Sequence, residues 1–393
     1  MKNNQLGLWQ VVSLGIGSIV GAGIFALLGQ VLREAGNFTY LSFAVSGIIA
    51  MFCGYAYVKL AAAYPQAGGI TDYFHHAFPS KFASGTLSLV YVFTTLISAG
   101  ALAKSFGFYM VSLLPHTPFL TVNACAAVML VGLGILNMLK ARDVGSAEAW
   151  LVAFKLGILG LLIAAGVYKF DHYTPAFTTN PGVNGFFQSI GLTFFAFAGF
   201  GVITNAAAYV KDPGKTIRAA MFLTLFIVMM LYIGLAFVIM NYMSVEQFDA
   251  NVNVSVAVVA KKLLGEPGSF LIYAAAVMAF MTGISASFFS VFRVTKSLAE
   301  QRILPAFYKK TLWNRGTYGN ALSLTLLTLF TIFFGFNDIV NLSSMAYLIS
   351  YLGVFASAWI LRRQTKARRI PLFIGFTAMA AILVGFVYSV YFS

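Results

Sequence analysis

The sequence predicts an all-α polytopic membrane protein of about eleven transmembrane helices, ten of them forming a five-plus-five inverted-repeat core in which helices 1 and 6 are broken. Three observations lead there. Of 393 residues, 60% are hydrophobic and only 9% charged, and the mean hydropathy is +0.86, so the chain lacks the polar surface of a water-soluble domain. Apolar stretches of about 20 residues, the length that crosses a bilayer, follow one another with short polar gaps. Two of these stretches, five apart in order, carry glycine interruptions at similar depth.

The eleven spans are expected near 8–31, 37–62, 84–111, 119–139, 147–168, 184–209, 217–241, 268–292, 319–336, 338–361 and 371–391. Met1 to Gln5 form a short polar start, and the apolar stretch behind it is longer than a signal-peptide core and ends without a small-x-small cleavage site. It reads as a first span that is retained. That span contains "GIGSIVGAGIF", with Gly15, Gly17, Gly21 and Gly23 in nine positions. Each glycine inside a helix costs about 1 kcal/mol relative to alanine, so the cluster is either a packing device or a place where the helix stops. Gly17 and Gly21, as a G-x-x-x-G pair, fit the packing role alone.

The sixth span decides between the two. In "LTFFAFAGFGVITN", Gly199 and Gly201 interrupt it at a depth matching the first break. Paired breaks five helices apart are the mark of inverted repeats whose first members unwind at the bilayer midplane and face each other. Non-helical backbone at that depth persists only when buried in protein or lining a cavity, so the pair implies a cavity. A single transmembrane domain over 1–393 is expected, with repeats at about 8–168 and 184–361 and an extra helix at 371–391.

The net charge of +14 belongs to orientation rather than to a nucleic-acid partner. With the N-terminus inside, one set of loops holds eighteen Lys and Arg and the opposite set holds four, Arg33, Lys169, Lys261 and Lys262. The positive-inside rule then puts the N-terminus in the cytoplasm and, after eleven spans, the C-terminus outside, as expected of a multi-pass protein of a cell or inner membrane.

Enzyme chemistry finds no foothold. Cys53 and Cys125 fall inside predicted helices, and His75, His76, His116 and His172 lack the spacing of a zinc site. "DPGKT" resembles the end of a phosphate loop, but the first glycine of G-x-x-x-x-G-K-[ST] would be Tyr209. No metal or cofactor is expected, and no polar constellation suggests a channel or a membrane-embedded enzyme, the two rivals from other classes.

Four motifs in order resemble the amino acid/polyamine/organocation transporter family. "GSIVGAGIF" is similar to its first-helix signature and "YPQAGGITDYF" to the loop behind its second helix. "FAFAGFGVITNAAAYVKDPGKTIRAAM" is similar to its sixth helix and following loop, and "RVTKSLAEQRILPAFYKK" to the loop after helix 8. The resemblance runs from residue 7 to about 360. It implies a LeuT-type core and an amino acid permease, a symporter or antiporter, in which helices 1, 2, 6 and 7 rock against a scaffold of 3, 4, 8 and 9. The expected function is sodium-independent secondary transport of amino acids, proton-coupled or exchanging. Two departures stand out. Lys59, in "YVKL", replaces an acid of the second helix, and Gly201 replaces an acid of the sixth. A polyamine or organic-cation carrier, the runner-up within transporters, would want such acids.

Unwinding a helix frees N–H groups at the start of one half and C=O groups at the end of the other, which suit an anion and a cation. An α-amino acid carries both charges. By the resemblance, the N–H groups of Ala22 and Gly23 hold the substrate carboxylate. The carbonyls of Ile19, Phe195 and Ala198 hold its ammonium. Phe194, Phe195, Phe197 and Phe200 are packing residues by default, and only Phe195 matches a gating aromatic of the relatives. Lys155, mid-span in "AWLVAFKLGILGLLI", is the most informative charge, because a central lysine costs at least about 2.5–3.5 kcal/mol on insertion. The resemblance places it where sodium-driven cousins bind sodium, donating to carbonyls near Gly21 and to Thr282 or Ser285, either as a fixed cation or as a proton carrier. Lys104, about two turns from a span end, fits snorkelling as well as function. The partners expected are an amino acid, protons and the lipid bilayer.

Overall fold

The computed structural model describes residues 6–20, 23–65, 69–114, 117, 121–139, 146–170, 182–243, 245–314 and 316–392. The chain starts with α1 (Leu8–Ile19), whose first turn is tied by the Gly7 N–H donating to Gln10 Oε1 at 2.8 Å. The helix ends at Ile19, and α2 (Gly23–Ala35) begins on the far side of Gly21 and Ala22, which lie outside the described residues. A 3-10 turn at Gly36–Phe38 joins α2 to α3 (Thr39–Ala63), and Thr39 Oγ1 donates back to the Gly36 carbonyl at 2.7 Å. The short α4 (Ile70–Ala77) precedes α5 (Lys81–Leu113), α6 (Val122–Leu139) and α7 (Ser146–Tyr168).

The second half opens with α8 (Gly182–Phe197), which stops before Gly199, a left-handed residue at φ 107° that a side chain would strain. The chain continues as a 3-10 segment, Phe200–Tyr209. Next comes α9 (Pro213–Tyr242), started by Asp212 accepting from the Lys215 N–H at 3.2 Å and by Pro213, whose missing N–H costs nothing at a helix start. The short α10 (Val245–Asn251) and a turn at Val252–Val254 lead into α11 (Ser255–Glu300), which bends at Gly265, φ 72°, just before Pro267. A small hairpin, β1 (Thr311–Trp313) with β2 (Gly316–Thr317), precedes α12 (Tyr318–Phe333), α13 (Phe336–Ile360), α14 (Arg362–Thr365) and α15 (Arg369–Tyr391).

Among the described residues, nine helical stretches are long and apolar enough to cross a membrane. The shortfall from eleven has two local causes. The break divides the first predicted span, so α1 is only 12 residues long and α2 merges with α3, while α12 reaches just 16 residues. The molecule is a nearly all-helical, polytopic membrane protein.

Packing separates the helices into two groups. α1, α9, α3, α8 and α2 are linked each to the next, and α5, α6, α11 and α12 contact one another, while α7 and α13 touch both groups. Hydroxyls and glycines draw the first group together. Ser42 Oγ pairs with Ser189 Oγ at 2.7 Å, and a Cβ on Gly54 would stand 2.9 Å from the Met221 side chain.

Candidate site at the two helix breaks

The two breaks touch each other. Ser18 Oγ, at the end of α1, donates to the Gly199 carbonyl at 3.2 Å, and a Cβ on Gly199 would stand 2.7 Å from that Oγ. On the other flank, a Cβ on Gly23 would lie 2.3 Å from the Ala196 carbonyl oxygen, so α2 starts in backbone contact with α8. Tyr232 of α9 clamps the pair. Its buried hydroxyl lies 3.0 Å from the Ala196 oxygen and 3.3 Å from the Ile19 oxygen, one proton shared between carbonyls of both broken helices.

A cavity of about 110 Å³ opens beside this junction. One wall comes from the breaks, Ser18, Phe195, Ala198, Gly199 and Gly201. Facing them stand Thr95, Ser98 and Leu102 of α5, Gly283 and Ser287 of α11, and Tyr347 of α13. The far end reaches Gly69 and Asn205. That end lies near the face where the chain starts, because the Leu6 N–H donates to the Tyr209 carbonyl at 2.9 Å. Among the described residues, none that lines the cavity is charged.

The opposite side of the breaks is shut. Phe25, Tyr109 and Phe280 meet edge to face, with centroids 5.4–6.4 Å apart. Above them, Gln30 Nε2 donates to Asn253 Oδ1 at 3.0 Å. A Cβ on Gly29 would stand only 1.8 Å from the Val252 carbonyl oxygen. The cavity is therefore sealed by fitted backbone on one side and continues toward the other.

Of the residues expected to hold substrate, Phe195 and Ala198 line the cavity. Phe195, 1% exposed, sets its ring edge to face against Tyr347 at 5.9 Å. Ile19 follows the lining residue Ser18, and its carbonyl is engaged by Tyr232. Gly23 is buried against Ala196 and is not part of the lining; Ala22 and Gly21 lie outside the described residues. Lys155, 2% exposed, sits beside Gly17 and Val20 at the end of α1 and donates to Thr282 Oγ1 at 3.3 Å, which bridges α7 to α11. Ser285, the other expected partner, instead accepts from Asn137 Nδ2 at 2.9 Å, because it stands on the side of α11 that faces α6. Lys104 is buried in α5 and is not part of the lining. Cys53 and Cys125 are buried free thiols, and the described residues hold no cluster of metal-ligating side chains.

Sequence reasoning missed Tyr232, Ser98, Tyr347 and the Gln30–Asn253 pair. Tyr232 had a signal, being a hydroxyl set mid-span in "MMLYIGLAF", but nothing in the sequence names carbonyls 36 and 213 residues away as its partners.

The sequence profile of the amino acid permease family matches residues 6–393. The chain belongs to the amino acid permease family. This permease is 38% identical, over 99% of its own length and 91% of the relative's, to the inner membrane transport protein YbaT of Escherichia coli. It is 24% identical to the serine/threonine exchanger SteT of Bacillus subtilis, over 93% of this chain and 85% of the relative. Cationic amino acid transporter 9 of Arabidopsis thaliana is 25% identical over 78% of this permease and 57% of the relative's length.

Proposed function

We propose that this permease is a secondary active transporter of amino acids, working by alternating access in a cell membrane, without sodium, and driven by protons or by exchange. The observation that carries the reading is the cavity at the facing breaks, sealed on one side and continuing toward the other. Helix ends in water would satisfy their free N–H and C=O groups for nothing; buried at a cavity, they suit a zwitterion. Binding there involves the carbonyls of Ile19, Phe195 and Ala198 for the ammonium, and the N–H groups of Ala22 and Gly23 for the carboxylate.

The rest follows from that reading. The two groups of helices supply a moving bundle and a scaffold, built as repeats at about 8–168 and 184–361 with α15 outside them. An N-terminus in the cytoplasm, favoured by the eighteen-to-four charge bias, puts the continuing end of the cavity on the cytoplasmic side. The membrane is a cytoplasmic or inner membrane, in keeping with the relative named for it. Lys155 supplies a resident cation beside the end of α1, where its charge complements the helix carbonyls. The test is uptake into proteoliposomes of a panel of labelled amino acids, with and without sodium and with and without a pH gradient. Accumulation without sodium is expected; strict sodium dependence would remove the role given to Lys155, and no uptake of any amino acid would remove the reading.

A further inference from the structure

The relatives' names point to different cargoes, so the side-chain class has to come from the cavity itself. Its hydroxyls are the informative feature. Ser18 Oγ donates to the Gly199 carbonyl at 3.2 Å, Thr95 Oγ1 to the Tyr91 carbonyl at 2.8 Å, and Ser287 Oγ to the Gly283 carbonyl at 3.0 Å. Ser98 Oγ donates to the Thr95 carbonyl at 2.9 Å and accepts from the Tyr347 hydroxyl at 3.3 Å. A hydroxyl has one proton and two lone pairs, so each of these groups has committed its proton to the protein and keeps a lone pair to offer. Four hydroxyls of the lining thus offer acceptors, while Tyr91 and Ser290, paired at 3.3 Å, share one bond between two protons.

Charge and size narrow the choice further. Among the described residues, none in the lining is acidic or basic, and Lys155 is not part of it. A lysine, arginine, aspartate or glutamate side chain would enter as a buried charge without a counter-ion. A carboxylate would also face acceptors with its own acceptors. Bulk is limited by the Phe195 and Tyr347 rings, which meet at 5.9 Å, and by Leu102, which stands 3.0 Å from where a Gly283 Cβ would be.

We propose that the cavity selects small amino acids whose side chain is uncharged and donates a hydrogen bond, namely serine, threonine and asparagine. The inference rests on the reading of the cavity as an amino acid site. Alanine fits the space but leaves the acceptors unmatched, and valine or leucine leaves them unmatched while adding bulk.

The experiment uses the full-length protein in proteoliposomes preloaded with serine, following counterflow of labelled L-serine against a panel of unlabelled competitors. Serine, threonine and asparagine are expected to compete roughly tenfold more strongly than alanine, the worth of about one matched hydrogen bond. Lysine, arginine, aspartate, glutamate and putrescine are expected to leave counterflow unchanged. Competition by charged amino acids equal to that of serine, or alanine and valine equal to serine, would overturn the inference while leaving amino acid transport standing. Absence of serine counterflow beside uptake of another labelled amino acid would overturn the inference alone, and absence of uptake of every labelled amino acid of the panel by correctly inserted protein would overturn the parent reading with it. Two near-isosteric variants add a second measurement. Ser287→Ala and Thr95→Val are expected to shrink the serine-over-alanine preference in competition. A preference unchanged in both would overturn the assignment of these hydroxyls.

Discussion

The two broken helices solve the same problem with different materials. After the first break the chain resumes as a regular α-helix, α2, whose glycines lie against backbone: Gly23 on Ala196 and Gly29 on Val252. After the second break it resumes as a ten-residue 3-10 segment, far longer than the three or four residues such helices usually reach, and its small residues lie against side chains. A Cβ on Gly201 would meet the Tyr57 ring, and Asn205 approaches Gly69 through its side-chain oxygen. Backbone held by helical hydrogen bonds cannot step aside, whereas a side chain can turn. The first break therefore carries a fitted seal, and the second carries a compliant arm along the side on which the cavity continues. Under the alternating-access cycle proposed above, the hinge is expected in the 3-10 segment.

The largest expected effect breaks the seal. Gly29→Ala places a methyl carbon 1.8 Å from the Val252 oxygen, so α2 and the turn before α11 must separate, at a cost of about 3 kcal/mol or more. Loss of monodisperse protein on size-exclusion chromatography in detergent is expected, beside an unaffected Gly132→Ala, whose Cβ would meet nothing within 4 Å. Equal behaviour of the two variants would show that the fit at Gly29 is not a constraint. Gly23→Val, which sequence reasoning alone would treat as blocking substrate, is expected to act first through the same kind of separation, of α2 from α8.

Next in size is Lys155→Ala, which sharpens the electrostatic side of the comparison, since the end of α1 has a buried cation beside it and no charged residue joins the second break in lining the cavity. Removing the ammonium takes the hydrogen bond from Thr282 and the charge from the helix end. Turnover is expected to fall more than tenfold with folding retained. A pH-independent wild-type rate would leave Lys155 as a fixed cation rather than a proton carrier, and normal transport by the variant would dismiss both roles.

How much of this was legible in the sequence depended on range. Composition and glycine placement are local signals, so the helical class, the interruption near Gly21 and the break at Gly199 could be read directly. The burial of Lys155 was legible because one charge in an apolar span has few explanations. The merging of α2 with α3 and the shortness of α12 were not legible, because the apolar pattern runs past the helix ends. The division of labour between Thr282 and Ser285 was hidden for a different reason. Both lie on α11 within one turn, and only the packing of α6 and α7 around that helix decides that Asn137 takes one and Lys155 the other.

A smaller effect tests the clamp that joins the two breaks. Tyr232→Phe removes one hydroxyl and keeps the ring packed on Phe43 and Phe197. The Ile19 and Ala196 carbonyls lose a shared donor, worth about 1 kcal/mol. If Tyr232 positions the carbonyls for the substrate, KM rises about three- to tenfold while the maximal rate and thermal stability change little. A change in stability with KM untouched would make it a packing residue only.

The smallest effect belongs to the compliant arm. Gly201→Ala puts a Cβ 3.1 Å from the Tyr57 hydroxyl and 3.2 Å from its ring carbons, closer than comfortable by a few tenths of an ångström. Tyr57 is held edge to face by Tyr73 and Phe200 at 6.3 and 5.5 Å, contacts loose enough for the ring to tilt. Nothing forces backbone to move, and φ at this position needs no glycine. The variant is expected to fold and to transport within about twofold of wild type, because overpacking absorbed by a turning side chain costs at most about 1 kcal/mol. A loss as large as that at Gly29 would mean that the 3-10 segment is as tightly fitted as α2, and the contrast between seal and arm would fail.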